Sequence, residues 1–237
     1  MNRLLVASAD LAAELPELSR ENRQHLKVLR PEVGEAFELF DGAGRFRPYS
    51  YVGGRLQAAG EASMVARPPE LTLFACIAKG SRWDWTLEKA TELGVTQIVP
   101  LVSERTIVRL DAADLEPKRE RWQRVVDDAA RQCGTRWVPR VETPLKLMDA
   151  LPQMQERFTV LGALTDPPSP PILKVMADWR GEALALAIGP EGDFSPAELA
   201  ALIAVAHPAS FGSTILRTET AAIFGLGVLG ACQHARV

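Results

Sequence analysis

Residues 183–202, ALALAIGPEGDFSPAELAAL, and residues 209–230, ASFGSTILRTETAAIFGLGVLG, decide how this chain folds. Ala183 to Ile188 is a short unbroken apolar run, the mark of a strand buried on both faces. It stops at Gly189-Pro190-Glu191-Gly192, a loop that neither a helix nor a strand can contain. Ser195-Pro196-Ala197-Glu198 predicts a helix start, with serine at the N-cap, proline first in the helix and glutamate completing a capping box. Strand, glycine loop, helix is how α/β proteins build a small-molecule site at the carboxyl ends of their strands. A second such loop runs from Phe211-Gly212 to Thr218, where a last helix is expected with Glu219 in its first turn. Two glycine loops at neighbouring strand ends predict one shared pocket.

Charge narrows what that pocket holds. A phosphate cradle wants free backbone N–H groups, a helix N-terminus and often a lysine. Here Pro190 removes an N–H, Glu191 adds a negative charge and no lysine follows, which disfavours a triphosphate or dinucleotide. A ligand with hydroxyls, an adenine edge and a positive centre, such as S-adenosylmethionine, suits the loop better. The spacing leaves a second reading open, in which Gly189 and Gly192 only turn the chain and Glu191 faces solvent.

GPEG, followed after a capped helix by Gly212-Ser213-Thr214-Ile215-Leu216-Arg217-Thr218-Glu219-Thr220-Ala221, resembles the paired signature of the bacterial methyltransferases that modify uridine N3 in small-subunit (16S) ribosomal RNA, members of the SPOUT superfamily. The similarity extends through Lys79-Gly80, Glu88 to Val95, Pro100-Leu101 and Ser103-Glu104-Arg105. It continues in Arg131-Gln132-Cys133-Gly134 and Val138-Pro139, and in the amino-terminal His25 to Arg30 and Phe40-Asp41-Gly42. In that family a Glu usually precedes Gln-Cys-Gly and an Arg soon follows; here Arg131 precedes it and Arg136 comes one place late.

The bulk properties fit an ordinary globular protein: 237 residues, 47% hydrophobic and 24% charged, with a formal net charge of −3. No overall basic field advertises nucleic acid, although a local patch can act within a neutral average. Three cysteines and three histidines, with no CxxC, make no metal constellation and read as reduced thiols. No apolar run reaches membrane-spanning length, and the apolar start at Met1 to Val6 is too short for a signal peptide, so a cytoplasmic protein without a membrane partner is expected.

Residues 1–69 read as brief strands and turns with one helix from Ser19 to Arg30, which suggests a small β-barrel. Arg20, Arg23, Lys27, Arg30, Arg45, Arg47 and Arg55 are candidate phosphate contacts there. Glu14, Glu17, Glu21, Glu32, Glu35 and Glu38 nearly cancel them, so the RNA reading requires folding to gather the basic groups on one side. From residue 70 to 237 strands and helices alternate: strand Leu71 to Ala78, helix Asp84 to Leu93 closed by Gly94, strand Thr96 to Val102. A long helix from Leu115 to Cys133 follows, with Trp122, Val125, Val126 and Ala129 at core spacing. Phe158 to Leu164 is a further strand, running into Asp166-Pro167-Pro168-Ser169-Pro170-Pro171 as a third wall of the pocket. Gly225-Leu226-Gly227-Val228-Leu229-Gly230 spells GxGxxG, but inside a helical pattern, where small residues allow close packing rather than dinucleotide binding.

The resemblance implies a PUA-like, RNA-contacting barrel over residues 1–69, with Arg20, Arg23, Lys27 and Arg30 meeting RNA. It implies a SPOUT trefoil-knot α/β methyltransferase domain over 70–237, in a homodimer that completes the active site between subunits. S-adenosylmethionine, leaving as S-adenosylhomocysteine, would lie against Ile188, Gly189, Pro190, Glu191 and Gly192. The second loop would add Phe211, Gly212, Ile215, Leu216, Thr218 and Ala221, with Leu164 at the preceding strand's end. Catalysis would rest on Arg217, Glu219 and Thr220 at the pocket floor, with no metal. The substrate would be small-subunit ribosomal RNA or the assembled 30S subunit. A relative acting on a ribose 2′-oxygen or another base nitrogen, and a non-catalytic RNA-binding protein, are the rival readings.

Overall fold

The computed structural model describes residues 1–236 and divides into two units, residues 1–68 with 127–138, and residues 69–126 with 139 onward.

In the first unit the elements are β1 (Asn2–Leu5), α1 (Arg20–Leu29), β2 (Ala36–Phe40), β3 (Arg45–Val52), β4 (Arg55–Ala58) and β5 (Ser63–Met64). They form a five-stranded mixed sheet in the order β1-β2-β3-β4, with β5 on β3 and only β1–β2 parallel. Leu4, Leu11, Phe37, Leu39, Tyr49 and Leu56 fill its core. Ser19 caps α1 by accepting the Asn22 N–H at 3.1 Å, and Arg30 ends it in the left-handed region. Asp41 organises the turn that follows β2, its Oδ1 accepting the N–H groups of Ala43 (2.9 Å) and Arg45 (3.1 Å).

Two groups of charged residues read differently once folded. Arg47 is not a free phosphate contact: it is 8% exposed, donates to the Gly60 carbonyl (2.7 Å) and the Glu14 carboxylate (2.5 Å), and faces the carbonyls of Leu11, Ala12 and Ala13. A β-sheet interior accepts such a cation only when its donors are satisfied. The segment around Gln132-Cys133-Gly134 packs within this same unit. There Arg136 donates to Glu38 and lies 3.8 Å above the Phe46 ring, while Arg131 pairs with Glu21 at 3.1 Å.

The second unit opens with β6 (Leu71–Cys76), α2 (Ser81–Glu92), β7 (Gln97–Val102) and the start of α3 (Leu115–Cys133). It resumes with β8 (Arg140–Val141), β9 (Leu145–Lys146), α4 (Leu147–Gln155), β10 (Phe158–Gly162), α5 (Ile172–Met176), β11 (Leu184–Ile188), α6 (Pro196–Ile203), β12 (His207–Ala209) and α7 (Thr218–His234). The strands make a wholly parallel seven-stranded sheet in the order β12-β10-β11-β6-β7-β8, with β9 also on β7. Every residue of β6 and β11 is buried, as expected of central strands covered on both faces. Helix α2 starts at Ser81, three residues before the expected Asp84, and Gly94 follows it at φ +81. The GxGxxG run lies inside α7, where a Cβ on Gly225 would come 2.7 Å from Leu186. Among the described residues no helix is long and apolar enough to cross a membrane.

Candidate functional site

Three chain segments leave the carboxyl ends of β10, β11 and β12 and surround one cavity of about 450 Å³. After β11, the Asp193 N–H donates to the Pro190 carbonyl at 3.0 Å, closing a turn around Glu191 and Gly192. Gly189 sits under Phe194, whose ring would be 2.9 Å from a Cβ there, so the loop presses directly onto the core. The capping box then forms as the sequence predicts. Ser195 Oγ accepts the Glu198 N–H (3.4 Å), and Glu198 Oε2 accepts the Ser195 N–H (3.0 Å). Glu198 Oε1 also accepts the Glu104 N–H at 2.8 Å, so this buried carboxylate anchors the loop after β7 as well.

After β12, Gly212 adopts φ +134, a conformation that only glycine takes readily. Ser210 Oγ lies 3.2 Å from the Gly212 carbonyl and 3.4 Å from its N–H, stiffening the turn. The third wall is the proline-rich segment after β10, where Thr165 and Ser169 hydroxyls meet at 2.7 Å and Pro168 lines the cavity.

Of the residues expected to hold a cofactor, Leu164, Ile188, Gly189, Pro190 and Glu191 line this cavity, and so do Phe211, Gly212, Ile215, Leu216, Thr218 and Ala221. Gly192 does not. Its carbonyl accepts from Arg105 Nη1 at 3.0 Å, and a Cβ there would meet Arg105 only in ordinary contact at 3.5 Å. Arg217 lines the cavity as an exposed residue, not as a buried one.

The other two expected catalytic residues both fall outside the lining. Thr218 and Ala221, three apart on α7, share the face that meets the cavity, which turns Thr220 away to an exposed position outside the lining. Thr220 therefore does not lie at the floor. Glu219 lies outside the lining as well; it is 8% exposed and has a buried Oε2 with no hydrogen-bond partner.

Arg82, not singled out by the sequence reading, joins these acids. From the first turn of α2 its guanidinium lies 3.8 Å from Glu191 (through Nη1) and 3.8 Å from Glu219 (through Nε). Its number lies far from either loop, and only the packing of α2 beside α7 reveals the contact. Thr165, Asp193 and Ser210 also line the cavity without having been anticipated. Among the described residues no cluster of His, Cys, Asp and Glu could hold a metal ion.

The comparisons with known proteins agree with this geometry. A ribosomal RNA small subunit methyltransferase E from Synechocystis sp. is 31% identical over 237 residues, spanning 97% of this chain and 77% of its own length. A Legionella pneumophila protein solved in complex with bound SAM superposes with a TM-score of 0.85 at 32% identity, over 97% of this chain and 96% of its own. A ribosomal RNA small subunit methyltransferase E from Neisseria gonorrhoeae, bound to S-adenosyl methionine, gives a TM-score of 0.80 at 27% identity, over 98% and 97%. Residues 66–230, which include the cavity and both of its glycine loops, match the RNA methyltransferase domain family, and with a relative 31% identical over 97% of this chain, the chain belongs to that family.

Proposed function

We propose that this protein uses S-adenosylmethionine to methylate N3 of a uridine in small-subunit (16S) ribosomal RNA. The observation that supports it most is the cavity itself: two glycine loops at the ends of β11 and β12, no lysine in the lining, and the Glu191 carboxylate in the wall. Those two parallel strands lie on either side of β10 and are not next to each other, as the sequence suggested they would be. Its volume of about 450 Å³ suits a ligand of this size. Ile188, Phe211, Leu216 and Ala221 offer an apolar slot, while Glu191 offers negative charge to a cationic centre, so the residues fit this cofactor. When bound, S-adenosylmethionine supplies an electrophilic methyl group on a sulfonium sulfur.

The chain's own residues supply the rest. N3 of uracil carries a proton at neutral pH, and its lone pair is free only once that proton leaves. We assign the acceptor role to Glu219, which follows Thr218 just outside the lining and keeps its buried Oε2 unpartnered. Arg217 at the cavity edge presents a fixed donor fork to the negative charge that then spreads over the uracil oxygens. Alignment contributes most of the rate, with proton transfer adding a factor on the order of 10² to 10⁴.

Around this centre we propose the rest of the family arrangement: a PUA-like RNA-contacting domain over residues 1–69, a trefoil-knot SPOUT domain over 70–237, and a homodimer. The substrate is ribosomal RNA or the assembled small subunit, in the cytoplasm. The basic stripe Arg20, Arg23, Lys27 and Arg30 supports the RNA contact, since all four are exposed, the spacing of the first three keeps them on one face of α1, and Arg30 follows at its end.

Calorimetry with S-adenosylmethionine, and mass spectrometry of ribosomal RNA from cells with and without the protein, test this directly. Micromolar binding and loss of one N3-methyluridine are expected. An absent cofactor site, or a methyl lost from a ribose instead, refutes it.

A further inference from the structure

Glu219 Oε2 presents a chemical puzzle that the cofactor alone does not resolve. A buried carboxylate oxygen without a donor is rare in a folded protein, and a catalytic role is one of the explanations for it; Glu219 is outside the cavity lining but follows Thr218, which is in it. The other oxygen of the same carboxylate faces Arg82, whose guanidinium also faces Glu191. Both separations are 3.8 Å, beyond hydrogen-bond length, so Arg82 acts on the two acids through its charge and leaves their acceptor sites open.

We infer that Arg82 is a positioning residue for methyl transfer: by bridging Glu191 on one cavity loop and Glu219 at the start of α7, it aims Glu219 Oε2 at an incoming N–H donor of the target base. This rests on the proposed methyltransferase reading and adds a residue to it. Glu191 lines the cavity and Glu219 lies beside it, and two like charges brought together repel each other unless a cation stands between them. Arg82 is the group that does so, and it reaches the site from α2, an element outside both loops. The side chain of Arg82 is 46% exposed against 11% for Glu219, so the cation sits on the solvent side and the free oxygen on the inner side.

The test uses the full chain with the variants Arg82→Ala, Arg82→Gln, Arg82→Lys, Glu219→Gln and Arg82→Ala/Glu219→Gln. Single-turnover transfer of labelled methyl to ribosomal RNA is measured beside calorimetric affinity for S-adenosylmethionine. Arg82→Ala and Arg82→Gln should each slow the saturated rate on the order of 100-fold, the scale of a small misplacement of a reacting group. Cofactor affinity and the KM for RNA should stay within about twofold, Arg82→Lys should recover part of the rate, and Arg82→Ala should add little in the Glu219→Gln background. A near-wild-type rate in both Arg82 variants overturns the inference. So does a loss confined to the KM for RNA that varies with salt, which would make Arg82 a phosphate contact, or losses at Arg82 and Glu219 that simply multiply. A wild-type protein that neither binds the cofactor nor transfers methyl would overturn the underlying reading, and this inference with it.

Discussion

Arg136 donates two hydrogen bonds to Glu38, at 2.6 Å and 3.2 Å, and Glu38 is 3% exposed. Arg3 also faces that carboxylate, at 3.5 Å. Removing one partner of a buried pair leaves a charge without compensation, which costs more than the pair contributes. Arg136→Ala should therefore destabilise the first unit by about 3 kcal/mol, seen as a lower urea midpoint. Arg136→Lys should fall between, because one ammonium cannot reproduce the two-pronged contact. A midpoint unchanged in both would mean that Arg3 alone neutralises Glu38.

Gly225 and Gly227 stand two apart on α7 and predict opposite outcomes. A Cβ on Gly225 would come 2.7 Å from Leu186 Cδ2 and 3.3 Å from Phe211, and Leu186 is fully buried. Gly225→Ala should cost about 1 to 2 kcal/mol, overpacking outweighing the gain in helix propensity. Gly227 meets nothing within 4 Å, so Gly227→Ala should stabilise by up to about 1 kcal/mol. Thermal melts of the two variants decide it. Loss of stability at Gly227 would indicate that another copy of the chain covers that side of the helix.

Local chemistry explains what was readable in advance. The capping box at Ser195 and Glu198, the buried run of β11 and the glycine ends of α2 and α3 depend on a few adjacent residues. Strand β12 escaped notice because His207-Pro208-Ala209 is short and contains a proline, tolerable only because the strand lies at the sheet edge. Helix α4 escaped because Pro152 interrupts its pattern. Within the site, the loops were legible but the orientation along α7 was only partly so, and both Glu219 and Thr220 fall outside the lining rather than at its floor. Arg82 could not be found at all, since its meaning lies in two long-range contacts. The acids near the basic stripe looked cancelling in sequence, yet Glu14, Glu21 and Glu38 are each engaged by Arg47, Arg131 and Arg136 instead.

Cys76 is fully buried on β6, and burial pushes its thiol from the ordinary 9.0 up to about 11, against weaker pulls from Ser103 and Thr106. Cys133 is exposed and Cys232 half-buried, and all three thiols are free. A thiol reagent at pH 8 should therefore label Cys133 and Cys232 in the native protein and reach Cys76 only after unfolding. Because the pKa is raised on folding, this thiol's contribution to stability is complete below pH 9.0 and declines as pH rises toward about 11. Three native labels at pH 8, counted by intact mass, would contradict the burial of Cys76.

Helix α1 provides the most direct check on RNA contact. Arg20, Arg23 and Lys27 recur along one face, Arg30 follows at its end, and all four are exposed, while the neighbouring Glu21 is drawn to Arg131 at 3.1 Å. A phosphate-contacting stripe of this kind contributes sequence-independent affinity through counterion release. Arg23→Ala/Lys27→Ala should weaken RNA binding uniformly across sequences and reduce the slope of log affinity against log salt by about 1 to 2, the value for two lost phosphate contacts. Cofactor affinity should be untouched, since neither residue lines the cavity. An unaltered salt slope would remove α1 from the RNA-binding surface and leave other basic groups, such as the exposed Arg45 and Arg55, to hold the substrate.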